Sequence, residues 1–359
     1  MNFLLNHSGK KTVITVVASL ILLLFLACFG FYWDSREKEW TTSTGSIFVM
    51  DTFVDQKLSG ADSKRAVETV NQLLLDFENR ISVYRSSSEI AGINQNAGVA
   101  YVKVSPETFQ LLKTAKEYCA LSKGLFDITI GPLTDLWNIT GANPRVPDER
   151  EIEAALELVN YEDLLLREED CSVMLRRQGQ RLNLGGMAKG AAGALAIEVA
   201  KSCGVHSGYL SVGGNIFTIG KKEDGSSYRF GVRDPRGESS DYIGIVELTD
   251  TTMATSGDYE RYFEENGVRY HHILNPDTGY PGDSDLISVS VICEDGAMAD
   301  FLSTTLFLAG KEKAIEYAEA EFFDFILIDR EKNVYLSKGA CACFTPNEQA
   351  KGYRFINIS

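Results

Sequence analysis

The amino-acid sequence predicts a mixed α+β fold. Segments with the apolar spacing of helices and segments with the alternation of strands follow one another without a regular βα unit, and no internal repeat is visible. Of the 359 residues, 44% are hydrophobic and 24% are charged, which is an ordinary globular composition. We therefore expect a globular mixed α/β domain, preceded by an N-terminal segment of different character.

That N-terminal segment, residues 12–33, is apolar and uncharged. About 20 apolar residues in a helix span the hydrocarbon core of a bilayer. Lys10 and Lys11 precede the segment, so the positive-inside rule places the rest of the chain on the extracytoplasmic face of the cell membrane. A cleaved secretory signal is one alternative. Lipidation at Cys28 is another, because the sequence Phe-Leu-Ala-Cys loosely resembles a lipoprotein cleavage site.

The chain is expected to have three regions. Residues 1–33 form the membrane anchor or signal segment, the polar residues 34–45 a linker, and residues 46–359 the folded domain. The first region carries two lysines and no acid, which leaves 33 basic and 50 acidic residues, a net charge of −17, in the remainder. This excess argues against a nucleic-acid partner, and a polyanionic ligand would need local compensation by a cation or by backbone amides.

The elements of the domain follow from hydrophobic periodicity and capping residues. Residues 46–58 are expected to form a strand, residues 61–80 a helix, and the hydroxyl-rich residues 81–94 a loop. Further helices are predicted at residues 105–123, 148–158, 297–310 and 312–320, and after a glycine-rich turn within residues 183–204. Further strands are predicted around Val173 and Leu182, as a strand–turn–strand unit at 208–220, and at residues 229–233, 244–249, 286–293, 325–328 and 353–356.

Residues 297–310, AMADFLSTTLFLAG, carry a carboxylate and hydroxyls in an apolar helical run. Asp300 and Thr304 are four residues apart and therefore project from one face of the helix. A buried carboxylate is costly unless it is compensated. Mg²⁺ would compensate it, because this ion takes oxygen ligands and leaves positions for phosphate. The alternative is that Asp300 caps the helix while the hydroxyls bond to the preceding turn.

Two glycine pairs offer a close approach to a ligand. Gly185-Gly186 precede a helix, so backbone N–H groups and the helix dipole could bind an anion, to which Lys189 would add a positive charge. The alternative is a tight turn with a solvated lysine. Gly213-Gly214, followed by Asn215, is either a plain bulge or a second close approach.

Residues 254–282 contain the densest polar chemistry, including Asp258, His271 and His272. A histidine could act as a general acid or base, or could orient a phosphate. Adjacent residues of an extended strand face opposite sides, so only one of the two is expected to enter a site. The alternative is a pair of surface histidines. Asp127, which precedes the Gly131-Pro132 turn, indicates on its own only a transition from strand to turn.

Seven motifs occur in a fixed order along residues 46–339. They are MDTF, SVYRSSSEIAGIN, FDITIGPLTDLW, NLGGMAKG, LSVGGNIFTIG, ATSGDYERYF with YHHILNPDTGYP, and ADFLSTTLFLAG. In this order the set resembles the ApbE family of FAD:protein FMN transferases. The resemblance implies an ApbE-like mixed α/β fold with a flavin cleft between sub-domains.

The resemblance also implies a site. An Mg²⁺ ion would lie on the FAD pyrophosphate, with the side chains of Asp300 and Thr304 and the carbonyl of Gly186 as ligands, assisted by Ser303. The implied flavin-binding positions are Met50, Tyr84, Leu125, Phe126, Asp127, Asn183, Lys189, His272, Ile273 and Leu274.

The implied reaction cleaves FAD at its pyrophosphate and attaches FMN through a phosphoester to a threonine of an acceptor flavoprotein, releasing AMP. Family members serve membrane redox complexes and other extracytoplasmic flavoproteins. His272 or Asp258 would orient or deprotonate the threonine, with His272 preferred.

Three residues depart from the family pattern. Asp51 replaces the usual glycine, and Asn183 and Asn215 stand where the family has or often has aspartate. Two alternatives therefore stay open. One is an FAD pyrophosphatase, in which water is the nucleophile, and the other is a non-catalytic flavin-binding protein.

Overall fold

The computed structural model describes residues 41–317 and 322–358, so the predicted membrane segment lies outside the described residues. Within those residues, no helix has both the length and the apolarity that crossing a membrane requires. The helices are α1 Ser63–Ile81, α2 Glu89–Gln95, α3 Pro106–Leu121, α4 Gly131–Trp137, α5 Glu149–Leu156, α6 Ala188–Ser202, α7 Gly296–Ala309, α8 Lys311–Tyr317 and α9 Lys338–Cys343. The strands are β1 Thr42–Val49, β2 Thr52–Gly60, β3 Val102–Lys103, β4 Leu164–Arg167, β5 Ser172–Leu175, β6 Val205–Val212, β7 Asn215–Ile219, β8 Tyr228–Arg233, β9 Tyr242–Leu248, β10 Thr252–Gly257, β11 Tyr262–Glu265, β12 Val268–His271, β13 Leu286–Cys293, β14 Asp324–Asp329, β15 Asn333–Leu336, β16 Phe344–Pro346 and β17 Arg354–Asn357.

A nine-stranded sheet organises the domain, in the order β1-β2-β6-β7-β10-β13-β14-β15-β17. Its neighbouring strands are antiparallel except for β15 and β17, which are parallel. Two three-stranded sheets (β3-β5-β4 and β16-β9-β8) and the β11–β12 hairpin complete the described strands. The predicted mixed α+β class is confirmed.

Helices α1, α6 and α7 cover one face of the large sheet and share its main hydrophobic core. Helices α6 and α7 approach each other closely because glycines lie at the contact. A Cβ atom on Gly190 would lie 2.2 Å from the carbonyl oxygen of Gly296, and one on Gly296 would lie 2.5 Å from the ring of Phe217. This contact holds the first turn of α6 against the N-terminal half of α7.

The opposite face of the sheet packs on β8, β9 and β16 in a second core. Strand β13 lies between the two cores, and all eight of its residues are buried. A third cluster surrounds Trp137 at the end of α4, whose indole Nε1 donates to the carbonyl of Gly279 at 2.7 Å. The indole also packs against Tyr270 and Tyr280, which fixes the chain on both sides of His271-His272.

The structure corrects the first predicted strand. Residues 46–58 are not one strand, because Met50-Asp51 form the two-residue turn between β1 and β2, each with φ of 54°. Two positive φ values suit the right-handed twist of a hairpin. The predicted linker at 34–45 is wrong at its end as well, since β1 begins at Thr42.

Two further expectations are wrong. The second half of the loop predicted at 81–94 belongs to α2, which Ser88 caps by accepting a hydrogen bond from the backbone N–H of Ala91 at 2.9 Å. The strand expected around Leu182 is only an isolated bridge between Arg181 and Ile130. Other start signals are confirmed, including the Ser105 cap of α3.

Candidate active site

Asp300 lies inside α7 and does not cap it. The capping residue is Asp295, whose Oδ1 accepts from the backbone N–H groups of Ala297 (2.8 Å) and Met298 (3.1 Å). The cap interpretation of Asp300 is therefore wrong. Its side chain is only 4% exposed, whereas Thr304, one turn later, is partly exposed.

The hydrogen bonds to the Asp300 carboxylate come from neutral donors. Oδ2 accepts from the backbone N–H of Gly190 and Oδ1 from the Nδ2 of Asn215, both at 2.9 Å. Among the described residues, no lysine or arginine forms an ion pair with this carboxylate. Each carboxylate oxygen retains a lone pair after these contacts, so the charge can still accept a cation.

Two hydroxyls follow on α7, and their surroundings differ. The hydroxyl of Ser303 is fully buried, donates to the carbonyl of Asp300 at 2.9 Å and lies 2.9 Å from Ser256 Oγ. Thr304 Oγ1 lies 3.3 Å from the same Ser256 hydroxyl. Thr304 is thus the more available oxygen, and Ser303 is engaged within the protein.

Gly186 lies directly beside Thr304. A Cβ atom at Gly186 would be 3.5 Å from Thr304 Oγ1 and 2.8 Å from Cε2 of Phe126, so only glycine fits. The structure thus places Gly186 beside Thr304, which follows Asp300 by one turn of α7. Carboxylate, hydroxyl and carbonyl oxygens are the hard donors that Mg²⁺ prefers. The described residues contain no group of three or more His, Cys, Asp or Glu side chains arranged for a metal. Mg²⁺ commonly keeps water and phosphate oxygens as ligands, so it needs only a few ligands from the protein.

The start of α6 supplies positive potential. Its N-cap residue, Met187, makes no side-chain capping bond, and Lys189 lies in the first turn without a salt-bridge partner among the described residues. The preceding turn is shaped by Asn183, whose Oδ1 accepts from the N–H of Gly185 at 2.8 Å. The N–H of Ala188 donates to the Leu184 carbonyl and that of Gly190 to Asp300, so the half-buried lysine is the group that favours an anion here.

His271 is the last residue of β12, and His272, which follows the strand, makes different contacts. His271 is buried, packs edge-on against Phe307, and its Nε2 lies 3.1 Å from the carbonyl of Gly282. His272 Nδ1 lies 3.2 Å from the carbonyl of Arg261. Burial, and next the positive charge of Lys189, lower the pKa of His272 to about 3. His272 is therefore neutral at pH 7, and with Nδ1 donating to Arg261 its Nε2 can accept a proton.

Asp258 is held by arginines. Its two oxygens accept from Nη1 and Nη2 of Arg236 at 2.8 and 2.7 Å, and Arg269 Nη1 lies 4.0 Å away. The Arg236 guanidinium and the Asp258 carboxylate thus form a planar bidentate pair, which uses both carboxylate oxygens. Asp258 thereby anchors the β11–β12 hairpin, because Arg269 also bonds to Glu264 on β11.

The β1–β2 turn is bonded to two neighbouring parts of the site. The N–H of Met50 donates to Glu78 Oε1 at 3.1 Å, and the other oxygen of Glu78 pairs with Arg85 at 2.8 Å. Arg85 follows Tyr84, whose ring is 68% exposed. On the other side, Arg261 Nη2 donates to the carbonyl of Asp51 at 3.0 Å. Asp51 is exposed in a conformation otherwise typical of glycine.

The remaining predicted flavin positions mostly face the protein interior. Asp127 is buried and accepts from Thr129 and from the N–H of Tyr161, and burial raises its pKa. Ile273 packs in the main core and Leu274 in the Trp137 cluster. Contacts of these two residues with a ligand would therefore come from the backbone.

Phe126 and Leu125 lie differently. The ring of Phe126 lies edge-on to Phe301 of α7, 5.1 Å away, and covers Gly186. Leu125 is half-buried.

Sequence reasoning missed two residues of this site. Glu78 gives no signal in the sequence, because it is an ordinary acid on an amphipathic helix. Ser256 lies within the TSGDY motif, and its hydroxyl links Ser303 with Thr304.

Known proteins resemble this chain over most of its length. The ApbE family model matches residues 50–326. An FAD:protein FMN transferase of Klebsiella pneumoniae (strain 342) is 35% identical over 315 residues, which is 88% of this chain and 97% of that protein. One of Treponema pallidum (strain Nichols) is 33% identical over 300 residues, 80% of this chain and 83% of that protein.

Solved structures give the same result. The ApbE protein of Thermotoga maritima is 33% identical, with a TM-score of 0.75 over 86% of this chain and 97% of that one. The flavin transferase ApbE from Vibrio cholerae is 28% identical, with a TM-score of 0.76 over 84% of this chain and 99% of that one. The ordered motifs, the sheet and the match along residues 50–326 agree, and the chain belongs to the ApbE family.

Proposed function

We propose that this protein transfers FMN from FAD to a threonine hydroxyl of an acceptor flavoprotein in an Mg²⁺-dependent reaction. The threonine oxygen bonds to the FMN phosphorus, the pyrophosphate P–O bond breaks, and AMP leaves with the bridging oxygen. The two relatives described above, both named FAD:protein FMN transferase, match 88% and 80% of the chain, which supports this reaction.

The observation that carries the proposal is the buried Asp300 carboxylate. It accepts hydrogen bonds only from the neutral Gly190 and Asn215 donors within the described residues. The partly exposed Thr304 follows it by one helical turn and lies beside Gly186. A buried charge of this kind is stabilised by a cation. Asp300, Thr304 and the Gly186 carbonyl would hold Mg²⁺, which when bound neutralises the negative charge of the pyrophosphate.

Other residues of the chain then have separate tasks. Lys189, in the first turn of α6, binds phosphate oxygens. Ser256 and Ser303 fix the Thr304 hydroxyl through their shared hydrogen bonds. Tyr84 and Met50 border the flavin from the rim.

We assign the proton acceptor to His272 in preference to Asp258. His272 is neutral, with a free ring nitrogen when Nδ1 bonds to Arg261, whereas both Asp258 oxygens are bonded to Arg236. A negatively charged pyrophosphate next to the imidazole would raise its affinity for a proton as the threonine loses one.

We further propose that the domain works on the extracytoplasmic face of the cell membrane, attached through residues 1–33. The apolar stretch at 12–33 and the two lysines before it support this placement. A membrane redox complex subunit is an acceptor that such an enzyme could reach.

The reaction is tested with the full chain, FAD, MgCl₂ and a threonine-bearing acceptor domain. Covalent, fluorescent FMN on the acceptor together with AMP is the expected result. AMP and free FMN without labelled acceptor would identify a pyrophosphatase instead. Bound but uncleaved FAD would identify a flavin-binding protein.

A matched pair of variants tests the metal assignment. Thr304→Val removes a proposed ligand and should weaken Mg²⁺ binding by at least about tenfold, with a corresponding loss of AMP release at low Mg²⁺. Thr305→Val is the control, because the neighbouring Thr305 hydroxyl is buried and has no hydrogen-bond partner among the described residues. Equal Mg²⁺ dependence in both variants would remove Thr304 from the site.

A further inference from the structure

We infer that the tip of the β1–β2 hairpin is the surface on which the acceptor protein docks, through an exposed aromatic pair; this inference rests on the proposed function. Phe48 and Phe53 face each other across the hairpin, with ring centroids 5.2 Å apart and planes at 71°. They are 60% and 65% exposed. Exposed aromatic rings that already pack on each other lose little conformational entropy on binding, and aromatic residues are enriched in protein interfaces.

The hairpin tip between the two rings is bonded to residues of the candidate active site. The turn between the two phenylalanines is bonded through Asp51 to Arg261, whose carbonyl also bonds His272. The N–H of Gly213 also donates to the carbonyl of Phe53 at 3.1 Å. Gly213 is two residues before Asn215, whose side chain donates to Asp300. The rings lie on the face of β1 and β2 opposite to Val49 and Val54, which pack in the main core, so a protein held on them would reach the candidate active site around the hairpin tip.

Strand β1 adds a second means of capture. It is the edge strand of the nine-stranded sheet, and no described strand pairs with its outer side. An edge strand offers unpaired N–H and C=O groups to an extended segment of another protein. An acceptor segment with apolar side chains around its threonine would pair with β1 and cover the rings.

A lipid surface fits the aromatic pair less well than a protein does. The N-terminal residues join the domain at Thr42, and Phe48 lies six residues further along β1, about 20 Å from that junction at 3.3 Å per residue. The net charge of −17 beyond residue 33 also disfavours contact with anionic headgroups. We therefore assign the surface to the acceptor.

Binding to fluorescein-labelled peptides tests this assignment independently of catalysis. One short peptide has a central threonine flanked by leucine and valine, and its counterpart has serine and glutamine at those positions. The full chain should bind the apolar peptide more tightly, and Phe48→Ser/Phe53→Ser should weaken that binding by at least about tenfold in fluorescence anisotropy. Phe322→Ser, which replaces a 54% exposed phenylalanine elsewhere, should bind like the wild type.

Three results would overturn the assignment. One is equal peptide binding by the double variant and the wild type, and another is an equally large loss of FAD affinity in the double variant, which would make the rings part of the flavin site. The third is quenching of a Phe48→Trp reporter by brominated phosphatidylcholine, above the wild-type background, when the full chain is reconstituted in vesicles. A wild type that binds no FAD would refute the proposed function while leaving the peptide result interpretable.

Discussion

Asn215→Asp is the most direct test of the charge balance around Asp300. In the native protein the Asn215 carboxamide donates to Asp300 Oδ1 at 2.9 Å and accepts from the N–H of Thr255 at 3.2 Å. The variant can keep the second contact but replaces the donor with a carboxylate oxygen. Two unit charges 2.9 Å apart repel each other by about 6 kcal/mol at an effective dielectric constant of about 20. A hydrogen bond to a charged group, worth about 1.5–3 kcal/mol, is also lost.

The free energy of unfolding of this variant should therefore fall sharply without a divalent cation and recover when Mg²⁺ is added. The measurement is urea unfolding of the full chain in mild detergent, with and without saturating MgCl₂. Asn215→Ala is the control. It loses the same hydrogen bond and leaves the Thr255 N–H unpaired, but it adds no charge, so its gain from Mg²⁺ should match that of the wild type.

A wild-type-like stability of Asn215→Asp without Mg²⁺ would refute the reasoning, because the two carboxylates would then not share a buried space. An equal gain from Mg²⁺ in both variants would refute it too.

Two further predictions concern other parts of the site. Because the folded-state pKa of His272 is lowered to about 3 from 6.5, the unfolded chain binds the proton more readily between these values, and stability falls as pH falls from about 6.5 toward 3. His272→Gln should make that decline shallower in urea unfolding at a series of pH values, and an unchanged slope would contradict the burial of the imidazole. Gly186→Ala places a methyl group 2.8 Å from Phe126 and should weaken Mg²⁺ binding by about tenfold or more in titration calorimetry. Gly92→Ala, where the added Cβ is 3.8 Å from Val102, should not, and equal losses would show that the effect is not local.

The helical part of the site could be predicted from the sequence because helical periodicity fixes which residues share a face. Asp300 and Thr304 are four apart, and the structure places them one turn apart on α7. The interpretation of Asp300 as the helix cap was wrong. Asp295 offers the same capping chemistry five residues earlier, and a sequence with two candidate acids does not say which one begins the helix.

The hairpin tip could not be predicted, for a local reason. A two-residue turn with both residues at positive φ is usually signalled by Asn-Gly or Asp-Gly. Here the residues are Met50 and Asp51, and methionine has no intrinsic preference for that conformation. The turn is determined by distant contacts, from Glu78 to the N–H of Met50 and from Arg261 to the carbonyl of Asp51. Contacts between residues 28 and 210 positions apart leave no periodic pattern in a sequence.

The two asparagines that depart from the family pattern change the charge of the site in the same direction. Asn183 shapes the glycine turn by accepting from the Gly185 N–H, which a carboxylate could also do, whereas Asn215 donates to Asp300, which a carboxylate could not. Because these two positions carry no acid, the candidate site repels a pyrophosphate less, although the domain as a whole is strongly acidic. The same substitution leaves one carboxylate to hold a cation. Mg²⁺ alone should consequently bind weakly and Mg²⁺ together with FAD much more tightly, because the pyrophosphate supplies the negative oxygens that the asparagines do not.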